Sequence, residues 1–374
     1  MILLKRYFTK KCTLLLICCV ACCHFILNAA LNLIGSKHQG DVVMVTAAPL
    51  TTIISNYFTV KETTESYATT TNTSVHMWKT PNDNPLYFVP RTEKVTPLDF
   101  EILIKNKNAC SDPPFLLIFV LTMHEHAEER EVIRQTWGGL AYGDKWPQKD
   151  ITDKIKIVFL LGEQPNDTLN EVVARESEAH HDIVLFGFQE SYYNLTYKVL
   201  MGFKWAKEFC PLAKFVMKVD EDSFVDIPKV VNRLHSKDWN SKISGYYFGN
   251  DKAYRIGKYK VSNNVYPFVY YPPHVKGNAY FMPTTFMMRL LNVSEYMPYL
   301  NMEDVHITGV LALTVGVNRY RAFAKEEFSP FGMVRVCDFS RSRLVVSAFV
   351  RPQLARELWT RMQRKSFCKN SHHL

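Results

Sequence analysis

The sequence predicts an α/β domain built on a parallel sheet, preceded by one transmembrane helix and a polar stem. Three observations carry this expectation. After Cys110, four apolar runs alternate with segments of helical pattern, and strands alternating with helices pack as a parallel sheet covered on both faces. Cys12 to Ile34 contains no Asp, Glu, Lys or Arg, and about 20 such residues span a bilayer core. Between these regions, stretches such as Thr63 to Ser74 are rich in Thr, Ser and Asn and bury too little to fold alone.

Lys5, Arg6, Lys10 and Lys11 precede the apolar stretch. The bias of Lys and Arg toward the cytosol places the N-terminus there and everything after Ile34 in a lumen. A removable signal peptide has a shorter apolar region and a clearer cleavage site than "NAALNL", so an uncleaved type II anchor is expected. Residues 1–11 then form a cytosolic tail, 12–34 the signal-anchor, 35–108 a lumenal stem and 109–374 the globular domain. Sequons at Asn72, Asn166, Asn194 and Asn292 agree with a lumenal domain. Of the nine cysteines, Cys110, Cys210, Cys337 and Cys368 lie beyond the span, and four in an oxidising compartment allow three pairings.

The elements follow in order. "PFLLIFVLTM" (Pro114 to Met123) is a strand buried on both faces, followed by a helix over "EHAEEREVIRQTWGG". Lys154 to Gly162 gives a second strand, "NDTLNEVVARESEAH" a helix, and Asp182 to Phe188 a third strand. Tyr192 to Cys210 places Leu195, Val199, Phe203 and Ala206 on one helical face, and "KFVMKVD" is the fourth strand. No internal repeat is present. The net charge of +9 does not indicate nucleic acid, which a lumenal protein does not meet. Arg351, Arg356, Arg361, Arg364 and Lys365 have the spacing of a solvated helix face, with a site for an acidic substrate as the alternative.

Ligands of open parallel sheets bind beyond the carboxyl ends of the strands, where Asp220, Glu221 and Asp222 fall. Carboxylates sharing one site repel unless a cation sits between them. A hard divalent ion, Mg²⁺ or Mn²⁺, meets that need and shares its coordination with substrate phosphates; a solvated acidic turn is the plain alternative. Arg130 and Arg134 lie one helical turn apart after the first strand, and their donor forks suit a nucleotide diphosphate. Ion pairs with Glu128, Glu129 or Glu131 are the alternative there. Glu303 and Asp304 enter an apolar helix, where acidic residues favour the dipole and a partly desolvated carboxylate could act as a general base. "YYPPHVKGNAYFM" (Tyr270 to Met282) reads as a hairpin turn or as an aromatic surface for a sugar ring.

Together these stretches resemble the membrane-anchored β-1,3-galactosyltransferase and β-1,3-N-acetylglucosaminyltransferase family. The resemblance is carried by "REVIRQTWG" (Arg130 to Gly138), "VFLLG" (Val158 to Gly162), "ESYYNLTYK" (Glu190 to Lys198), "KVDEDSFV" (Lys218 to Val225), "YPPHVKGNAY" (Tyr271 to Tyr280) and "EDV" (Glu303 to Val305). These stand in the family's order over roughly Cys110 to Cys368. The resemblance implies a GT-A type Rossmann-like catalytic domain, a UDP-sugar donor, Mn²⁺ as cofactor, inversion at the anomeric carbon and a Golgi location. It implies Asp220 and Asp222 as metal residues, Asp304 as catalytic base, and Arg130, Arg134, Glu221, Gly277 and Glu303 as substrate-binding residues.

The chain departs from the family's pattern in places. Val275-Lys276-Gly277 stands where many members have Cys-Ser/Ala-Gly, and no Cys follows "EDV" at the usual helical position. One family disulfide is therefore absent, and the remaining lumenal cysteines would pair as Cys110 with Cys210 and Cys337 with Cys368. Gly309 comes one place later than in the commonest form. His274 and Lys276, beside the expected sugar site, bear on donor and acceptor preference. The expected function is transfer of galactose from UDP-galactose, in β-1,3 linkage, to a glycan acceptor on lipid or protein. UDP-N-acetylglucosamine or UDP-N-acetylgalactosamine are the alternative donors. A silent lumenal glycan-binding protein and a metal-dependent nucleotide-sugar hydrolase are the readings from other classes.

Overall fold

The computed structural model describes residues 85–335, 337–341 and 344–364, all within one compact unit spanning 73–374. The expected anchor at 12–34, Asn72, Lys365 and Cys368 lie outside the described residues. Among the described residues, no helix is long and apolar enough to cross a membrane.

Uninterrupted runs of Val, Ile, Leu and Phe form strands at the centre, because such runs are stable only where both faces are covered. The main sheet contains Ile102–Ile104 (β1), Leu116–Leu121 (β2), Ile155–Glu163 (β3), Ile183–Gln189 (β4), Phe215–Asp220 (β5), Ile243–Phe248 (β7), His274–Pro283 (β8) and Tyr320–Ala322 (β9). Their order is β1-β4-β3-β2-β5-β8-β7-β9. The four strands expected from sequence are present and mutually parallel, with β2 between β3 and β5. The sheet as a whole is mixed, which corrects the expectation of a parallel sheet: β1 and β8 run antiparallel to their neighbours. Three further strands, Phe224–Val225 (β6), Phe328–Ser329 (β10) and Val346–Ser347 (β11), form a separate small sheet.

The longer helices among the described residues are Ala127–Gln135 (α1), Asp167–His180 (α2), Leu195–Phe209 (α3), Ile227–Leu234 (α4), Thr284–Ser294 (α5) and Pro352–Gln363 (α6). A π-helix, Val305–Leu311, follows Asp304. Alternation along the strands divides the core. Leu117, Phe119 and Leu121 pack on the face covered by α3, α5 and the π-helix, through Val199, Phe203, Leu290 and Ile307. Leu116, Ile118 and Val120 pack on the face covered by α1, α4 and α6, through Ile133, Val230 and Leu358. Arg351, Arg356 and Arg364 are exposed, as expected of a solvated face.

Two boundaries move. Residues 85–108 belong to the fold and not to a stem: Tyr87, Phe88, Leu98 and Ile102 are buried, and β1 pairs with β4. Their partners, including Tyr266 and Phe268 around Tyr87, are distant in sequence, so no local periodicity marks them. "HVKGNAYFMP" is a strand and not a turn, and Tyr271 and Tyr280 are buried, so their rings offer no surface to a ligand. Cys110 is bonded to Cys210. Cys337 is also disulfide-bonded, and its expected partner, Cys368, lies outside the described residues.

Candidate active site

The parallel strands β2 and β5 end in register, Leu121 opposite Asp220. Because β8 is antiparallel to β5 and pairs with it from Ala279, opposite Val219, its first residues run on beyond the end of β5. The acidic turn at 221–222 and β6 follow immediately, so Asp222 is held between the large and the small sheet. Val350 donates its amide to the Asp222 carbonyl at 2.6 Å. That geometry brings residues from positions 218–222, 276–278 and 303–304 to one edge.

Lys218, 3% exposed, organises the carboxylates. Its Nζ donates to Asp220 Oδ1 at 2.6 Å and to the Gly277 carbonyl, and lies 3.3 Å from Glu303 Oε2. Burial works against the ammonium, but Asp220 and Glu303 hold its pKa above the ordinary value. Asp222 has no such partner. Its Oδ1 is buried and unpartnered among the described residues, and burial, followed by the charges of Asp220 and Glu221, pushes its pKa up to about 6.

Glu303 is buried, accepts a hydrogen bond from the Tyr280 hydroxyl at 2.5 Å, and is pushed up to about 7 by burial. Asp304 caps the π-helix: Oδ1 accepts from the Val305 amide and Oδ2 from the Gly277 amide, both at 2.9 Å. A side chain at Gly277 would begin 3.3 Å from Asp304 Oδ2 and 3.4 Å from Glu303 Oε2, so the glycine permits this approach. Asp251, after β7, has its carboxyl raised by burial and also by the charge of Asp304.

Three expected residues are elsewhere. Glu221 turns away from the cluster and contacts His126 Nδ1 through Oε1; burial raises its pKa against Thr122 and His126. Arg130 is fully buried, and its Nε and Nη2 hold Glu176 at 2.8 and 2.6 Å. Its other donors reach Thr122 and the Met123 and His124 carbonyls, leaving none for a phosphate. Arg134 pairs with Asp182 at 2.8 and 2.9 Å and with Glu176 at 2.7 Å. These buried arginines brace the chain leaving β2, with Glu176 of α2 and Asp182, just before β4, supplying the anions. Although burial opposes it, they hold the Glu176 carboxyl below its usual range.

Sequence reasoning assigned no role to Lys218, nor to Asn278, whose side-chain amide reaches Asp220 Oδ2 at 3.4 Å. The one available signal was a lysine inside the otherwise apolar strand "KFVMKVD". Among the sequons, Asn166 and Asn292 are exposed, while the Asn194 side-chain amide donates to the Gln189 carbonyl at 2.9 Å.

Carboxylates gathered beyond the end of β5 lie where open α/β sheets bind their ligands. The galactosyltransferase family model matches residues 128–322, just over half of the chain. Beta-1,3-galactosyltransferase 5 of Pan paniscus is 32% identical over 67% of this chain and 81% of its own length. Beta-1,3-galactosyltransferase 1 of Mus musculus is 31% identical over 74% of this chain and 82% of its own. The chain belongs to the galactosyltransferase family and is a hexosyltransferase. The solved structure of galactosyltransferase LgtC covers 66% of this chain and 95% of its own at a TM-score of 0.34 and 10% identity, a likeness too slight to bear on the fold.

Proposed function

We propose that this hexosyltransferase moves galactose from UDP-galactose onto a glycan hydroxyl in β-1,3 linkage, inverting the anomeric carbon on a GT-A type domain. The observation that carries the reading is a single hydrogen-bonded network. Gly277 donates its amide to Asp304 and offers its carbonyl to Lys218, which holds Asp220. One strand thus sets a fixed, partly exposed carboxylate beside an acidic turn, the two components an inverting transfer requires.

Asp304 is assigned as the base that takes the proton from the acceptor hydroxyl. Both of its oxygens accept backbone amides, which fixes the carboxylate and leaves each oxygen a lone pair for the incoming proton. The donor set fits a hard divalent cation such as Mn²⁺. The unpartnered Asp222 Oδ1 would ligate it with support from Asp220, and substrate phosphates complete such shells. When bound, the ion supplies positive charge against the departing UDP. We place the enzyme in the Golgi membrane as a type II protein, on the charge-flanked apolar stretch at 12–34.

The test is turnover by the full chain with Mn²⁺, a panel of UDP-sugars, and acceptors present or omitted. UDP-galactose should be used only when an acceptor is supplied. Asp304→Asn should retain UDP binding and lose roughly 10²–10⁴-fold in transfer rate. Acceptor-independent turnover would indicate a hydrolase, preference for an N-acetylated donor would change the sugar assigned, and near-normal transfer by Asp304→Asn would remove the base assignment.

A further inference from the structure

Lys276 directly precedes Gly277, whose amide holds Asp304. Its side chain is half-buried, and burial lowers its pKa against the pull of Asp304, Asp220 and Asp222. Among the described residues none of these carboxylates closes an ion pair with it. Nζ makes one long hydrogen bond, 3.4 Å to the Pro330 carbonyl, and lies 5.4 Å and 5.8 Å from the ring centroids of Phe331 and Phe349.

Both rings are large apolar groups left in water, 70% and 51% exposed. Phe349 is held out by a strained backbone. Its φ is 57°, the left-handed region that a residue with a β-carbon adopts only when its surroundings enforce it. Gly332, itself at φ 68°, packs against it, and a Cβ there would lie 2.9 Å from the Phe349 carbonyl oxygen. The next amide, Val350, is bonded to the Asp222 carbonyl. The strained residue is thereby fastened to the acidic turn. Core packing does not account for a strained, exposed ring, whereas presentation of that ring to a substrate does.

We propose that Phe331, Phe349 and Lys276 form an acceptor subsite for an acidic glycan: the rings take the apolar face of a sugar, and the Lys276 ammonium pairs with a carboxylate or sulfate on it. This rests on the transferase reading above. Lys276 is the chain neighbour of Gly277, whose amide donates to Asp304 Oδ2 at 2.9 Å, so the subsite adjoins the group assigned to the acceptor hydroxyl. An acidic sugar satisfies both halves of the site, giving C–H groups to the rings and an anion to a half-buried ammonium that otherwise lacks one. A donor phosphate is the competing anion.

The full chain is assayed with UDP-galactose, Mn²⁺ and three matched acceptors: neutral, 6-O-sulfated and uronic-acid-bearing. At least one acidic acceptor should exceed the neutral one by about tenfold in kcat/KM, the scale of one charge-assisted hydrogen bond. Lys276→Met should bring that ratio close to one, Lys276→Arg should keep it, and Phe349→Ala should raise KM for every acceptor. The sulfated and uronic arms identify which anion is taken. Equal kcat/KM for neutral and acidic acceptors would overturn the proposal while leaving the transferase reading intact. So would a Lys276→Met variant that keeps the ratio and raises KM for UDP-galactose, which would assign the lysine to the donor phosphate. Absence of turnover on every donor would remove the transferase reading and this subsite together.

Discussion

Glu303 and Asp304 are adjacent in sequence and live in opposite environments. Glu303 lies buried against Tyr280 and Lys218, while Asp304 is partly exposed and bonded to two amides. The raised Glu303 carboxyl has a thermodynamic consequence. Its folded pKa, about 7 against an ordinary 4.5, means that the folded state binds the proton more tightly, so this group adds stability as pH falls from about 7 toward 4.5. The unfolding midpoint of wild type relative to Glu303→Gln should therefore rise over that window, and a pH-independent difference would contradict the burial argument. The arginines make a second case at this scale. Arg134→Leu leaves Asp182 and Glu176 short of a buried cation and should cost roughly 3–5 kcal/mol in unfolding free energy. A change confined to donor KM would instead mean that the guanidinium meets substrate.

At the scale of elements, β8 and the π-helix after Asp304 set the site. An antiparallel β8 starts where the parallel β5 ends, which is how a residue 57 positions beyond Asp220 in the chain reaches its lysine. Gly309 lies within the π-helix, whose i→i+5 hydrogen bonding widens the turn after Asp304. Gly309 remains packed against Pro272 and His274. Thr308 ties the two elements together, accepting the Val275 amide at 3.0 Å and donating to the Asp304 carbonyl at 2.7 Å. Thr308→Val orphans a buried amide and should cost about 1–3 kcal/mol, with a loss of transfer as Asp304 loosens. Unchanged thermal stability would show that the tie is dispensable. His306, in the same helix, has both ring nitrogens buried without partners among the described residues, and burial pushes its pKa down to about 3, so it stays neutral.

At the scale of the whole molecule, the Cys110–Cys210 disulfide joins the approach to β2 with the end of α3 across 100 residues. It encloses β2, β3, β4 and the helices between them. Closing a loop of that length is worth about 2–5 kcal/mol, so Cys110→Ser combined with Cys210→Ser should lower the Tm of the unreduced protein by that equivalent. An equal Tm with and without the bridge would show that the unfolded chain is not restrained by it. The segment at 85–108 wraps the same body, with Leu98 and Ile102 buried against it.

The central strands, the helices between them and the position of the acidic turn were legible in the sequence. Each depends on local pattern: continuous apolar runs, helical periodicity, and the rule that ligands gather at strand ends. Asp220, Asp222 and Asp304 stand out by the same local rules, with family resemblance uniting them, and the fold links Asp220 to Asp304 through Lys218 and Gly277. Only tertiary structure decided which charges face one another. It turned Glu221 toward His126, buried Arg130 and Arg134 against Glu176 and Asp182, and placed Lys218 among three partners. Charge pairing across a fold depends on the register of strands and helices far apart in the chain, and no local window contains that information.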